Sequence, residues 1–143
     1  MSYGVSSMTA PLKRVALRAP SPSLLNADLH KWHYSDLHDP DKIQESYAQF
    51  THILQNAGCE LMYMTGDDNG IADAVFTYDA SLITPHGAIL MSPGKVQRTG
   101  EQDLHRAFYA THQIPILAEV TDARAEAGDT LWLDDETLLI GSG

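Results

Sequence analysis

The stretch "GAILMSPGKVQRTGEQDLHRAFYATHQIPILAEV", Gly87 to Val120, decides the fold. "GAILMS" reads as one strand and "IPILAEV" as another, with Pro115 near its start. The spacing between them predicts a helix from about Thr99, where Thr99 and Gln102 stand at capping-box distance and Leu104, Phe108 and Thr111 mark the inward face. Upstream, "AVFTYD" reads as a further strand, joined to "GAILMS" through "ASLITPH". Strand, strand, helix, strand is therefore the unit to look for elsewhere.

Working toward the N-terminus, "LKRVALRAP" is a strand stopped by Pro20, and "PSPSLLNADLHKWHY" is a long loop of lid or binding-loop length. Asp39-Pro40 supplies an N-cap and a first helical position. Ile43, Tyr47, Phe50, Leu54 and Ala57 then recur at helical spacing, and Gly58 closes the helix. "CELMYM" is the strand after it and "GDDNG" the turn after that. Toward the C-terminus, "DTLWL" and "TLLIG" predict a hairpin across Asp134-Asp135-Glu136. The chain thus reads as units of about 50 to 60 residues, a length typical of stacked or radial repeats. The third unit supplies only its first two strands. In a radial arrangement that leaves Leu131, Trp132, Leu138 and Ile140 without a partner, to be covered by residues after Gly143 or by another polypeptide.

At 143 residues and 43% hydrophobic content the protein is expected to form one globular domain, or a substantial piece of a larger one. The formal net charge of −10 repels phosphate backbones and argues against nucleic acid as a partner. No apolar run has the length of a signal peptide or a membrane span, so the default location is cytoplasmic. Cys59 is the only cysteine; it excludes an internal disulfide and a multi-cysteine zinc site, and reads as a buried structural residue. His30 and His33, near Asp28 and Asp36, have a spacing that could put two imidazoles on one helical face, but no third ligand is fixed, and no metal is expected. His52, His86 and His112 read as ordinary packing residues. Trp32 and Tyr34 are placed to cover a site as a lid or to plug the base of a blade.

Four stretches, in order, resemble the guanidine-modifying enzymes, the pentein superfamily of amidinotransferases, arginine deiminases and dimethylarginine dimethylaminohydrolases. "YGVSSMTAPLKRVALRAPS" is similar to their opening strand. "DAVFTYD", Asp73 to Asp79, resembles a strand with an Asp at each end; "QRTGE" resembles their Arg-x-x-Glu, here Arg98 and Glu101; "EAGDTLWLDDETLLIGSG" resembles their Glu-Gly-Gly-Asp turn and hairpin. The resemblance implies an α/β propeller of five strand-strand-helix-strand blades, of which residues 1–143 would form about two and a half, the N-terminal part. It implies that Asp73 and Asp79 accept the N–H donors of a planar guanidinium, the chemistry for which paired carboxylates are suited. It implies further that Arg98 holds the α-carboxylate of an arginine-like ligand and that the catalytic-site residue Glu126 accepts a hydrogen bond from a catalytic histidine or the guanidinium. No cofactor is implied. The family's cysteine nucleophile and histidine have no counterpart here, so the resemblance implies a protein inactive alone. The runner-up is a non-catalytic module that self-associates, or binds a small guanidino cation without turning it over; a homo-oligomer is favoured over a monomer.

Two departures from the pattern stand out: Tyr78, where several members carry a charged residue, and Ala127, in place of the first glycine of the turn. Ala127 is compatible unless that position needs a positive φ. Each assignment has a blander alternative. Asp73 and Asp79 could be turn residues, Arg98 and Glu101 a solvated pair on a helix surface, and Glu126 and Asp129 no more than shapers of a tight strand entry.

Overall fold

A parallel pair of strands, β1 (Arg14–Leu17) and β2 (Glu60–Tyr63), runs in the register Arg14↔Glu60 to Leu17↔Tyr63 in the computed structural model, which describes residues 3–141. The polypeptide forms two compact units, one from Leu12 to Thr77, the other made of the residues up to Pro11 and from Tyr78 onward.

In the Leu12–Thr77 unit the parallel pair needs a long crossover, and a helix provides it. Asp39 caps this helix by accepting the N–H groups of Asp41 and Lys42, Pro40 occupies its first turn, and Gly58 follows its end at φ +83°, as the sequence predicts. Two single-turn helices precede it, α1 (Pro22–Leu25) and α2 (Leu29–Trp32), so the predicted loop is partly helical; the crossover helix is α3 (Pro40–Asn56). Asp28 caps α2 by accepting the Lys31 N–H. The apolar face of α3 is only partly covered: none of its residues is fully buried, and Phe50 and Ile53 are 46% and 65% exposed.

"AVFTYD" is not a strand. Ala72–Val75 is a 3₁₀ turn, because local bonds use the backbone groups a ladder would need. Ile71 N–H reaches Asp68 C=O, Ala74 N–H reaches Ile71 C=O, and Phe76 N–H reaches Asp73 C=O, all within 3.2 Å. The strand lies further on, inside the predicted connector, as β3 (Ser81–Thr84). It pairs antiparallel with β4 (Gly87–Leu90) across Pro85-His86, where the Thr84 hydroxyl donates to Gly87 C=O and accepts from His86 N–H.

After β4 comes α4 (Glu101–Thr111) and then β5 (Ile116–Glu119), which lies parallel to β4 and completes the sheet order β3-β4-β5. The strand-strand-helix-strand unit is therefore present here, whereas the first segment has a single strand before its helix. No capping box forms on α4. Its N-cap is Gly100 at φ +93°, and the Thr99 hydroxyl turns back to Val96 C=O at 2.7 Å. Leu104 and Phe108 face inward as predicted; Thr111 is exposed, and Glu101, His105 and Tyr109 complete the buried face.

The C-terminal hairpin forms as predicted, β6 (Thr130–Trp132) against β7 (Leu138–Ile140), with Leu131 opposite Leu139. Leu138 packs on a core of Leu82, Met91 and Ala127. Leu131, Leu133, Leu139 and Ile140 are exposed, and Trp132 is half-buried. The fold is mixed α/β with three small sheets, none closed among the described residues.

Candidate functional site

Arg98 and Glu101 sit where a 3₁₀ turn, Val96–Arg98, feeds into α4, so their spacing brings both side chains to the helix start. The guanidinium is gripped along one edge by Glu101, with Nε donating to Oε2 at 2.5 Å and Nη2 to Oε1 at 2.7 Å. Its Nη1 donates to Asp79 Oδ2 at 2.8 Å. Arg98 is 5% exposed and Glu101 not at all, so this is a buried ion cluster rather than a solvated helix-surface pair. Burial alone would lower the Arg98 pKa, but its hydrogen bonds to Glu101 and Asp79 outweigh it and hold the value above that of an ordinary arginine.

Asp79 ends the turn before β3 and keeps about a quarter of its side chain open, at 26%. Its backbone carbonyl accepts the Ala127 N–H at 3.0 Å, and a Cβ added at Gly128 would stand 3.0 Å from its Oδ1. The Glu126–Asp129 turn thus lies directly on Asp79. Ala127 is buried outside the left-handed region, so alanine serves where the related pattern has glycine. Glu126 Oε1 accepts the Gly94 N–H at 2.8 Å. Three of the four residues singled out in sequence, Asp79, Arg98 and Glu126, are therefore brought together on one frame. The partly open Asp79, fixed by a buried cation, has lone pairs with which to receive a further N–H donor.

Asp73 belongs to the Leu12–Thr77 unit. It is 5% exposed, and its Oδ1 accepts the Tyr34 hydroxyl. The turn that presents it is held by a second buried carboxylate that sequence reading missed. Asp68 Oδ1 accepts Ser23 Oγ at 2.6 Å and the Gly70 N–H at 3.1 Å, and Arg18 lies 3.5 Å from Oδ2. Burial would raise the Asp68 pKa; the Ser21 and Ser23 hydroxyls, the Gly70 amide and the Arg18 charge together bring it below the ordinary value. Arg18 also donates to Met64 and Gly66 carbonyls. The signal available in sequence was an arginine ending an apolar strand and an acidic turn, neither of which announces its partner.

Also missed was a buried polar network in the other unit. Ser81 Oγ lies 2.8 Å from His105 Nδ1 and 2.6 Å from the Tyr109 hydroxyl, linking β3 to α4. Burial pushes the Tyr109 pKa up, and its bond to Ser81 opposes the shift. Cys59 is buried, with Sγ 3.5 Å from Leu12 C=O. Among the described residues no three His, Cys, Asp or Glu side chains gather to hold a metal ion, and no helix is long and apolar enough to cross a membrane. The Leu12–Thr77 unit has a groove of about 670 Å³ bordered by Tyr34, His38, Tyr47, Phe50, Val75 and Phe76.

No family model matches the protein. Among solved structures it is similar to a dimethylarginine dimethylaminohydrolase adduct with S-methyl-L-thiocitrulline: 26% identity, 84% of this protein, 46% of that one, TM-score 0.66. By fold, it resembles part of a pentein. A dimethylarginine dimethylaminohydrolase from Pseudomonas aeruginosa, complexed with citrulline, matches 85% of this protein and 47% of its own length, at 23% identity and TM-score 0.67. AgrE in complex with L-arginine matches at 21% identity and TM-score 0.70, over 85% of this protein and 18% of its own length. A curated relative, the uncharacterized protein ZK1307.1 of Caenorhabditis elegans, is 25% identical over 133 residues, 92% of this protein and 47% of that one. The sequence thus spans about half the length of the curated relative, and its pentein resemblance is to part of a member.

Proposed function

We propose that this protein carries the ligand-recognition half of a guanidine-modifying site, of the dimethylarginine dimethylaminohydrolase or amidinotransferase kind, built on about two and a half blades of an α/β propeller. The single observation that carries this reading is Asp79 fixed by buried Arg98 under the Glu126–Asp129 turn, in a fold shared with proteins whose complexes hold citrulline and L-arginine. In this reading Asp73 and Asp79 accept guanidinium N–H donors, and Arg98, steered by Glu101, meets the ligand's α-carboxylate. Glu126 accepts from the guanidinium or from a histidine supplied from outside these residues. In cysteine-dependent chemistry of this kind a thiolate attacks the guanidinium carbon, an amine leaves, and water or an acceptor amine resolves the intermediate. Cys59, buried at the entry to β2, is not assigned that role. The protein is therefore expected to bind L-arginine and not to turn it over. Incubation of the purified protein with L-arginine and methylated arginines tests this; citrulline release abolished by Asp79→Ala would overturn the claim of inactivity.

A second reading is a self-associating, non-catalytic module. The apolar side chains of Leu131, Leu133, Leu139 and Ile140, exposed on a two-stranded hairpin, favour it. Light scattering at micromolar concentration decides: a strictly monomeric, folded protein removes its support.

A further inference from the structure

The segment before α3 is fastened to the turn that carries Asp73 at two points. At one, Ser23 in α1 donates to buried Asp68; at the other, Tyr34 donates to Asp73 Oδ1. Tyr34 follows His33, which caps α2 in the left-handed conformation at φ 59°, a costly backbone state for a non-glycine residue and a natural pivot. The Tyr34 ring stacks with two neighbours, with the His38 centroid at 5.4 Å and the Trp32 centroid at 6.5 Å, and it borders the groove. The residue is half-buried, while its hydroxyl occupies a carboxylate that is itself 5% exposed.

From this we infer that Tyr34 gates Asp73. The inference rests on the proposed role of Asp73 as an acceptor for a guanidino ligand. A phenol O–H and a guanidinium N–H are both donors for Oδ1, and because Asp73 is buried a ligand cation gains access to that oxygen by displacing Tyr34. The charged donor makes the stronger bond, which is why exchange is favourable, yet every ligand loses part of that gain in opening the contact. Tyr34 thus sets the threshold for entry, in proportion to the strength of its own bond. It does not hold the bound ligand. Release turns the ring about His33 and disturbs the stack on Trp32, whose indole is 4% exposed.

The sequence has two tryptophans, so 5-fluorotryptophan labelling gives two fluorine resonances, assigned with Trp132→Phe. Without ligand, Tyr34→Phe is expected to move the Trp32 resonance and give it a solvent-isotope shift, leaving that of Trp132 in place. In titrations Tyr34→Phe is expected to bind L-arginine about three- to tenfold more tightly than the natural protein, the range of one net hydrogen bond. An unchanged Trp32 resonance, or L-arginine binding no tighter in the variant, overturns the gate. Should L-arginine bind neither protein, the proposed function fails and the gate with it; binding retained but no tighter in the variant overturns the gate alone. Asp73→Asn, which weakens the acceptor, gives the same Trp32 readout if Tyr34→Phe does not fold.

Discussion

Replacing Arg98 by methionine removes the cation from a cluster in which Glu101 has no exposed surface and receives two hydrogen bonds from the guanidinium. Methionine keeps much of the stem volume, so the loss is mainly electrostatic. Asp79 can regain water through its open quarter; Glu101 cannot. The magnitude therefore follows from Glu101. Two hydrogen bonds to charged groups contribute about 1.5–3 kcal/mol each, and breaking a buried pair by removing one partner costs about 3–5 kcal/mol. Against a total stability of roughly 5–15 kcal/mol this is a severe loss. With a urea m-value near 2 kcal/mol/M, the midpoint of unfolding followed by circular dichroism is expected to fall by about 2 M. The double variant Arg98→Met/Glu101→Leu, which removes both charges, is expected to recover most of that loss. A cost for Arg98→Met below about 1 kcal/mol, the value of an exposed pair, would refute the reasoning.

Three further predictions use other parts of the structure. Ser81→Ala strips a shared hydroxyl from His105 and Tyr109 and is expected to cost about 2–3 kcal/mol in thermal or urea unfolding, while tyrosinate absorbance shows the Tyr109 pKa rising further once its opposing bond is gone. Asp68 has a folded-state pKa below its unfolded value near 3.9, so its contribution to stability is present above that pH and is lost as pH falls through the folded value. Asp68→Asn should flatten that acid limb, and an unaltered acid transition would count against the buried Arg18–Asp68 pair. Gly128→Ala brings a methyl to 3.0 Å from Asp79 Oδ1, so calorimetry is expected to show weaker L-arginine binding with stability changed by less than about 1 kcal/mol; unaltered affinity would separate Asp79 from the ligand.

Elements whose ends carry their own chemistry were legible in the sequence. Asp39-Pro40 and Gly58 bound α3 because a side-chain acceptor, a fixed φ and a left-handed residue act locally, whatever the rest of the protein does. "AVFTYD" misled for the opposite reason. Its β-branched and aromatic residues suit a strand, but a run of i to i+3 bonds begun at Asp68 used its amides first, and strand pairing passed to "SLIT". At α4 the Thr99–Gln102 spacing was real and unused: Gly100, not Thr99, occupies the cap, and the Thr99 hydroxyl serves Val96. Spacing alone cannot distinguish these outcomes, because the same hydroxyl can accept a helix N–H or donate back to a preceding carbonyl.

Legibility of the candidate site divides along the same line between local and long-range partners. Arg98 and Glu101 are three residues apart, so their pairing was visible, but burial and the third member, Asp79, depend on a separation of nineteen residues folding back. Tyr34 and Asp73 are separated by thirty-nine, and neither residue indicates the other in sequence. This matters for what the acidic side chains do. With a net charge of −10, carboxylates alone would favour any small cation equally by long-range attraction. Selectivity for a planar guanidinium requires that individual oxygens be held in place, as Arg98 holds Asp79 and the Gly94 N–H holds Glu126, while Tyr34 occupies Asp73 until a ligand displaces it. Arg98 and Tyr34 are side chains whose removal leaves the carboxylate charge intact. Variants of Arg98 and Tyr34 can therefore separate attraction from geometry: if charge alone governed binding, losing the Tyr34 hydroxyl would leave L-arginine affinity unchanged, whereas geometric competition makes it rise.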